Sequence, residues 1–428
     1  MMSGLVVAAE EAVQRPEVTR PRQTAGDRVA QPDWEQHVSV SVGPHDADII
    51  GTTDKAIQAA VDYVTRLGGG TVRIKAGTYR LRNSVFLQSG LRLIGEGPAT
   101  VLVKEPSSTT KLAEDSDWYD QEITLADANG FEIGDGVCLR AKDAKTGRQT
   151  MLKRTLVARR GARFKLDRAL RENFWQLNGA TAATLFPLLS GEFIEQVAIE
   201  DLVLDGNRSN NENLDGNHGG CIFLQDCNRV TIRRVNARNN NGDGISWQIC
   251  HDVLVEHCVS ENHAGLGLHP GSGSQRPIMR FNTMRGNDIG LFFCWGVKYG
   301  LALDNQIEGN RVGISIGHRD TDNLVTGNTV SASRAQGVLF RAERGPDFAG
   351  HRNRIENNVL IDNGSEKTAA IEINGGTQDV RLVGNRMEQK SPAEPRVGIR
   401  LGPDTQGIVV EGNRLTGFAQ DIERSGKR

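Results

Sequence analysis

The chain has 428 residues, a net charge of −2 at pH 7 and 24% charged side chains, and no basic block marks it as a nucleic-acid binder. No apolar run reaches the roughly 20 residues that would span a bilayer, and six Cys without a CxxC pair weaken a metal or redox reading. With 49 Gly and 5% aromatics, the composition suits a non-membrane chain that turns often.

Residues 1–40 are rich in Pro, Gln, Arg and Glu and read as a mobile tail. Within them LVVAAEEA (Leu5 to Ala12) resembles the end of a secretory signal, although it lacks a basic region and a full apolar core. A secreted or periplasmic location is the expectation. Residues 41–104 then open the ordered chain. Thr53 or Asp54 is placed to cap a short helix whose apolar face is Ala56, Ile57, Ala60, Val61, Val64 and Leu67, with Gly68 as its stop. Such a helix would close the end of a stack of strands. TVRIKAGTYRL (Thr71 to Leu81) and SGLRLIGEG (Ser89 to Gly97) alternate as strands do.

Residues 105–190 follow a different pattern. Ile123 to Ala141 and Gly161 to Leu170 alternate apolar and polar residues around Gly turns, which predicts a small inserted antiparallel β subdomain. It either walls one side of a groove or only decorates the packing.

From 191 to 422 a phrase repeats: a small residue, an apolar one, any residue, a second apolar one. It reads CIFL from Cys221, GISW from Gly244, GLGL from Gly265, GLFF from Gly290, GISI from Gly313, GVLF from Gly337, AIEI from Ala370 and GIRL from Gly398. The steps of 23, 21, 25, 23, 24, 33 and 28 are the length of one coil of a parallel β-solenoid, a unit that buries its apolar face only by stacking. Asn282, Asn305, Asn328, Asn358, Asn385 and Asn413 recur once per coil, with His257 one coil earlier, and predict an asparagine ladder in which His257 is a buried substitute. Cys227 and Cys250 take equivalent places and either stack as thiols, the favoured reading, or bond as a disulfide. Residues 423–428 read as a tail.

The stretch from Ala56 to Leu81 and on through Ser89 to Gly97 resembles the N-terminal segment of the pectate lyase superfamily. That resemblance covers about 50 residues in wording and the later coils in pattern. It implies an all-β fold, a single-stranded right-handed parallel β-helix with a capping helix and the inserted subdomain.

On such a fold alternate outward residues line up as columns across coils. After the second apolar residue the column reads Gln225, Gln248, His269, Cys294, Gly317, Arg341 and Asn374. Trp295 and His318 come one residue further, and Lys298, Tyr299, Arg319, Asp320 and Glu343 lie in adjoining turns. His263 and Asp288 are expected at equivalent positions two residues before the phrase, and Asp243 lies just before Gly244. Six of nine His fall between His218 and His318, where a solenoid has no structural call for them, so this face is the expected groove. Trp247 is in the inward register and belongs to the core. Phe223, Phe292 and Leu339 share an outward column that would floor the groove or meet another subunit.

A uronate lyase needs a base beside the substrate carboxylate and positive groups to hold the spreading charge, whereas a glycoside hydrolase usually needs two carboxylates. The face is richer in His, Arg and Lys than in acids. Asp243 in NGDG resembles the NTD element of polygalacturonases, and GLGLHPGSGS (Gly265 to Ser274) resembles their GHG strand, but the paired DD of that family is absent. The expected function is therefore a polysaccharide lyase, or related uronate epimerase, acting on an acidic glycan. A polygalacturonase-like hydrolase is the alternative, and a glycan-binding or adhesion module is a third reading. His263 or His269 is the candidate base, Tyr299 or Lys298 the candidate acid, and Arg341 with His318 the carboxylate clamp. Trp295 is placed to stack on a sugar, and Gln248, Arg319 and Glu343 complete the binding set. Asp243 and Asp288 would orient a His or bind Ca²⁺, the one cofactor this set suggests. The expected partner is a polysaccharide or oligosaccharide, with no nucleic acid and no membrane.

Overall fold

A computed structural model describes residues 31–390 and 396–425. Leu5 to Ala12 and the rest of residues 1–30 lie outside that span. Each coil gives one strand to each of three parallel faces. The phrase strands form an 11-stranded front face running from Val85–Phe86 and Leu189–Glu192 to Gln420–Arg424. The other two faces merge into a 22-stranded sheet, because early coils pass between them in one long strand such as Glu195–Asp205 or Asn228–Arg238. Among the described residues no helix is long and apolar enough to cross a membrane.

The register corrects the phrase alignment in one coil. Ile245 lies opposite Leu268, and Ser246 opposite His269, so Gly244 stacks on Gly267 rather than on Gly265. Cys221, Gly244, Gly267, Gly290 and Gly313 are then four equal steps of 23 residues. The uneven steps of 21 and 25 arise because Gly265 lies two residues before Gly267, the glycine that stacks. His269 accordingly moves out of the Gln225–Gln248 column, where Gly271 stands, into the column of Ser246 and Phe292.

The ladder is present and its first member changes. Asn305 donates from its amide to Asn328 and from its side chain to the Met279 carbonyl, and the pattern repeats up to Asn413. One coil earlier the backbone N–H that bonds Asn282 belongs to Cys258. His257 sits at the bend with φ 54°, exposed, and stacks on Phe281. A residue in the left-handed region turns its side chain away from the corner that its successor fills.

The N-terminal helix runs Asp54–Arg66 and buries Ile57, Ala60, Val61 and Val64 completely, each large aliphatic stabilising by about 1.5–3 kcal/mol. Thr53 occupies the N-cap position without a side-chain bond, while the Asp54 carboxylate accepts from the Arg82 amide at 3.0 Å. Leu67, expected on the apolar face, is exposed. Ordered chain begins earlier than expected. Val38–Gly43 pairs with Gly70–Ile74, and the Gln31 amide donates to the Arg229 carbonyl and the Thr231 hydroxyl. Cys227 and Cys250 are free thiols, with the Cys227 N–H on the Cys250 sulfur at 3.4 Å.

The insertion folds as a six-stranded antiparallel sheet between Thr109 and Ala183, around its own core of Leu112, Ile123, Phe131, Phe164, Phe174 and neighbours. Trp247 is fully buried in the solenoid core, as its inward register requires.

Candidate functional site

The front face carries two outward columns. One runs Phe223, Ser246, His269, Phe292, Ser315, Leu339. The other runs Glu192, Gln225, Gln248, Gly271, Cys294, Gly317, Arg341 and Asn374. Neighbouring rungs are about 4.8 Å apart, so residues far apart in the chain meet here.

Asp243 and His269 form a dyad. The Asp243 carboxylate accepts the Leu266 amide through Oδ1 at 3.0 Å and faces His269 Nδ1 through Oδ2 at 2.8 Å. A carboxylate can only accept, so Nδ1 carries the proton and Nε2 holds the free lone pair. Nε2 has no hydrogen-bond partner and is closed off from solvent. The Ser246 hydroxyl lies 3.3 Å from Nδ1 and donates to the Gly216 carbonyl at 2.7 Å, and Gln248 donates to that hydroxyl. The turn around Gly216 thus lies over the dyad. A Cβ on Gly216 would stand 1.7 Å from Asp243 Oδ2, and one on Gly265 would stand 2.4 Å from Oδ1. Gly216→Ala is expected to push the turn off the carboxylate and to cut turnover by about 10²-fold while the melting temperature stays within a few degrees, since a displacement near 1 Å suffices for such a loss. Unchanged turnover in the alanine variant would show that the turn does not set the dyad.

Arg341 gathers the second cluster. Its guanidinium donates to the Ser315 hydroxyl at 2.8 Å, the Phe293 carbonyl at 3.0 Å, Glu343 at 3.3 Å and Asp320 at 3.3 Å. Of five N–H groups, one on Nη1 is left over. The same guanidinium lies 4.5 Å from the Phe292 ring centre, and that ring is 5.3 Å from His269. Phe292 therefore bridges the dyad and the cation. Asp320 is fully enclosed, with its oxygens on the Val297 and Gly317 amides, and burial pushes its carboxyl up to about 7. Glu343 accepts the His318 amide, and His318 stacks 4.1 Å from Trp295, which is 51% exposed. Arg319 lies over Phe348 on the same rim.

Four sequence-predicted residues stand elsewhere. His263 is not an outward residue: its Nδ1 accepts the Asn240 amide and its own amide donates to Asn287, which makes it a member of a second inner ladder with Asn287, Asn310 and Asn363. Burial lowers its pKa to about 3. Between pH 6.5 and 3 the unfolded chain therefore binds a proton that the native state refuses, so stability falls as pH drops through that window by up to about 1.4 kcal/mol per unit. His263→Asn gives the corner the residue used one coil on, where Asn287 donates to the Ser260 carbonyl. It is expected to add about 1 kcal/mol at pH 7 and to flatten the acid slope in denaturant titrations at pH 7 and pH 5. A slope as steep as the parent's would refute the ladder assignment. Asp288 is not the equivalent of His263; it stacks between Gly265 and Arg311 and is ion-paired with Arg311 at the surface. Lys298 and Tyr299 lie past the corner that follows the front face, beside Asp322 and Arg352. The Ca²⁺ reading also loses its ligands, because Asp243 is taken by His269 and Leu266 and Asp288 by Arg311. Among the described residues no group of three or more His, Cys, Asp or Glu side chains is placed to hold a metal ion.

Sequence reasoning missed the insertion's share. Lys153 lies 3.9 Å above the Phe223 ring, and a cavity of about 420 Å³ opens there between Lys153, Arg154, Arg168, Arg171, Glu192 and His218. Ser246 stood legibly in the phrase; Lys153 had no pattern to mark it.

Residues 220–387 match the family model described as right handed beta helix region. With three stacked parallel faces, the chain is a right-handed parallel β-helix protein, as the resemblance to the pectate lyase superfamily implies. The A-module of mannuronan C-5 epimerase AlgE6 from Azotobacter vinelandii is similar at 16% identity and TM-score 0.57, over 88% of this chain and 92% of that one. The AlgE4 A-module from the same organism is similar at 16% identity and TM-score 0.52, over 90% and 100%. The Dettilon tailspike protein gp208 gives 13% identity and TM-score 0.50 over 90% and 68%. These are likenesses of fold. No curated protein matches the chain.

Proposed function

We propose that this protein acts on an acidic polysaccharide, removing the proton beside a uronate carboxylate, as a lyase or a C-5 epimerase. The observation that carries this reading is the His269–Asp243 dyad, whose buried Nε2 has no hydrogen-bond partner, one aromatic ring away from the Arg341 guanidinium. In this reading His269 takes the proton, Asp243 fixes its tautomer, and Arg341 holds the carboxylate as charge spreads into it. Trp295 and His318 offer a flat surface for a sugar ring beside that clamp. Mannuronan C-5 epimerase A-modules share the fold, which agrees with a uronan substrate. A secreted or periplasmic location follows from the reading, since such polymers lie outside the cytoplasm.

A hydrolase pair finds less support. Asp320 is enclosed and tied to two backbone amides, and Asp243 is tied to His269 and Leu266. Incubation with alginate, pectate, glycosaminoglycans and neutral glycans separates the readings. Absorbance near 235 nm with new reducing ends supports a lyase, and solvent deuterium entering C5 without cleavage supports an epimerase. Reducing ends alone would replace this reading with a hydrolase, and affinity without turnover would replace it with a binding module.

A further inference from the structure

The solenoid alone does not complete the trough. The strand Gln149–Arg160 of the insertion brings Lys153 over the front face, two rungs before His269 in the column Phe223, Ser246, His269. That offset is about 9–10 Å along the column. The ammonium nitrogen of Lys153 is shut off from solvent and has no hydrogen-bond partner. Burial pushes it down to about 8. The Phe223 ring beneath it and the charge of Glu192 offset only part of that burial, and a closed-off cation of this kind is costly unless a further negative group comes to it.

Neighbouring groups fit the same purpose. Arg154 is not available, since its guanidinium is bound to the carbonyls of Lys153, Arg168, Ala169 and Leu170. Arg168 and Arg171 line the same cavity with exposed side chains, against Glu192 as its one acid. His218 closes the other side, and desolvation favours its neutral form. His218 belongs to the turn whose Gly216 carbonyl accepts the Ser246 hydroxyl, so cavity and dyad are parts of one trough. The volume of about 420 Å³ is that of a small-ligand site.

We propose that the inserted subdomain carries a carboxylate-binding subsite, with the Lys153 ammonium as its anion contact, that takes a second uronate of the glycan whose reacting sugar lies at His269. This rests on the function proposed above and deepens it. The solenoid supplies the chemistry, and the insertion measures the chain.

Lys153→Met in the full chain tests it. The parent is expected to show KM falling as oligouronates lengthen from two to six sugars. In K153M that fall is flattened, with KM for the hexamer raised at least about tenfold, and the effect lies on KM rather than kcat. The melting temperature is expected to hold or rise, because a buried ammonium without a hydrogen-bond partner is removed. A hexamer KM equal to the parent's would overturn the subsite and leave the function standing. If the parent turns over no uronan, the function fails, and calorimetric binding of the hexamer decides the subsite alone: binding lost in K153M keeps it, and equal or absent binding in both overturns it.

Discussion

His269→Gln is expected to lower kcat on the uronan substrate by about 10²–10⁴-fold while leaving oligosaccharide affinity within a few fold, the loss typical of removing a positioned base. Glutamine can still donate to Asp243 and fill the space beside Phe292, but it offers no basic nitrogen. Asp243→Asn is expected to fall nearly as far for a different reason. The asparagine amide would present a donor to Nδ1, and the ring would then carry its proton on Nε2, the nitrogen that must accept. The two losses are not additive, because both remove one lone pair. Initial rates by absorbance near 235 nm or by C5 proton exchange measure them, and calorimetric binding of an oligouronate separates binding from chemistry. If H269Q keeps turnover within about threefold of the parent, the base is another group and the trough has been read wrongly.

The winding and the ladder were legible because a parallel coil repeats its demands: each turn needs the same inward apolar pair at the phrase and the same amide at the corner. That is why Trp247 reads as core and Asn305 as ladder from the letters alone. Slips arose where the letters allow two registers. Gly265 and Gly267 both precede an apolar residue, and a shift of two keeps every side chain on its own face, so the error left His269 outward but in the wrong column. A shift of one does not, which is why His257 turned out exposed and Cys258 buried. The same local uncertainty hid the role of His263, an imidazole standing where its neighbours use Asn287 and Asn310. Asp243 and His269 are 26 residues apart and meet only when the 23-residue register is right. The insertion's contribution could not be read. Alternation shows which face of Gln149–Arg160 fills the subdomain's own core, not what the other face touches, and Lys153 meets Phe223 through a tertiary contact between units about 70 residues apart.

Arg341→Met is expected to cost both stability and activity, and pH separates the two. The guanidinium is 21% exposed and compensates Asp320, which has no exposure at all, so its removal strands a buried acid and is expected to cost about 3 kcal/mol at pH 8. In the parent protein the Asp320 carboxyl is already raised to about 7 by burial, with Arg341 opposing the rise. Between the unfolded value near 4 and the folded value near 7 the native state therefore holds a proton that the unfolded chain has lost, and stability declines as pH rises through that window. Above 7 this contribution levels off. Without Arg341 the folded value climbs further, so the variant goes on losing about 1.4 kcal/mol per unit past pH 7 where the parent is flat. Urea titrations at pH 6, 7 and 8.5 should show a gap between the two proteins that widens with pH. Adding Asp320→Asn removes the stranded charge and is expected to close most of the gap. Turnover should not return with it, because the double variant still lacks the cation proposed to hold the substrate carboxylate. Recovery of stability and rate together would reduce Arg341 to a structural counter-ion, and a gap that stays constant with pH would mean that Asp320 is not the group it compensates.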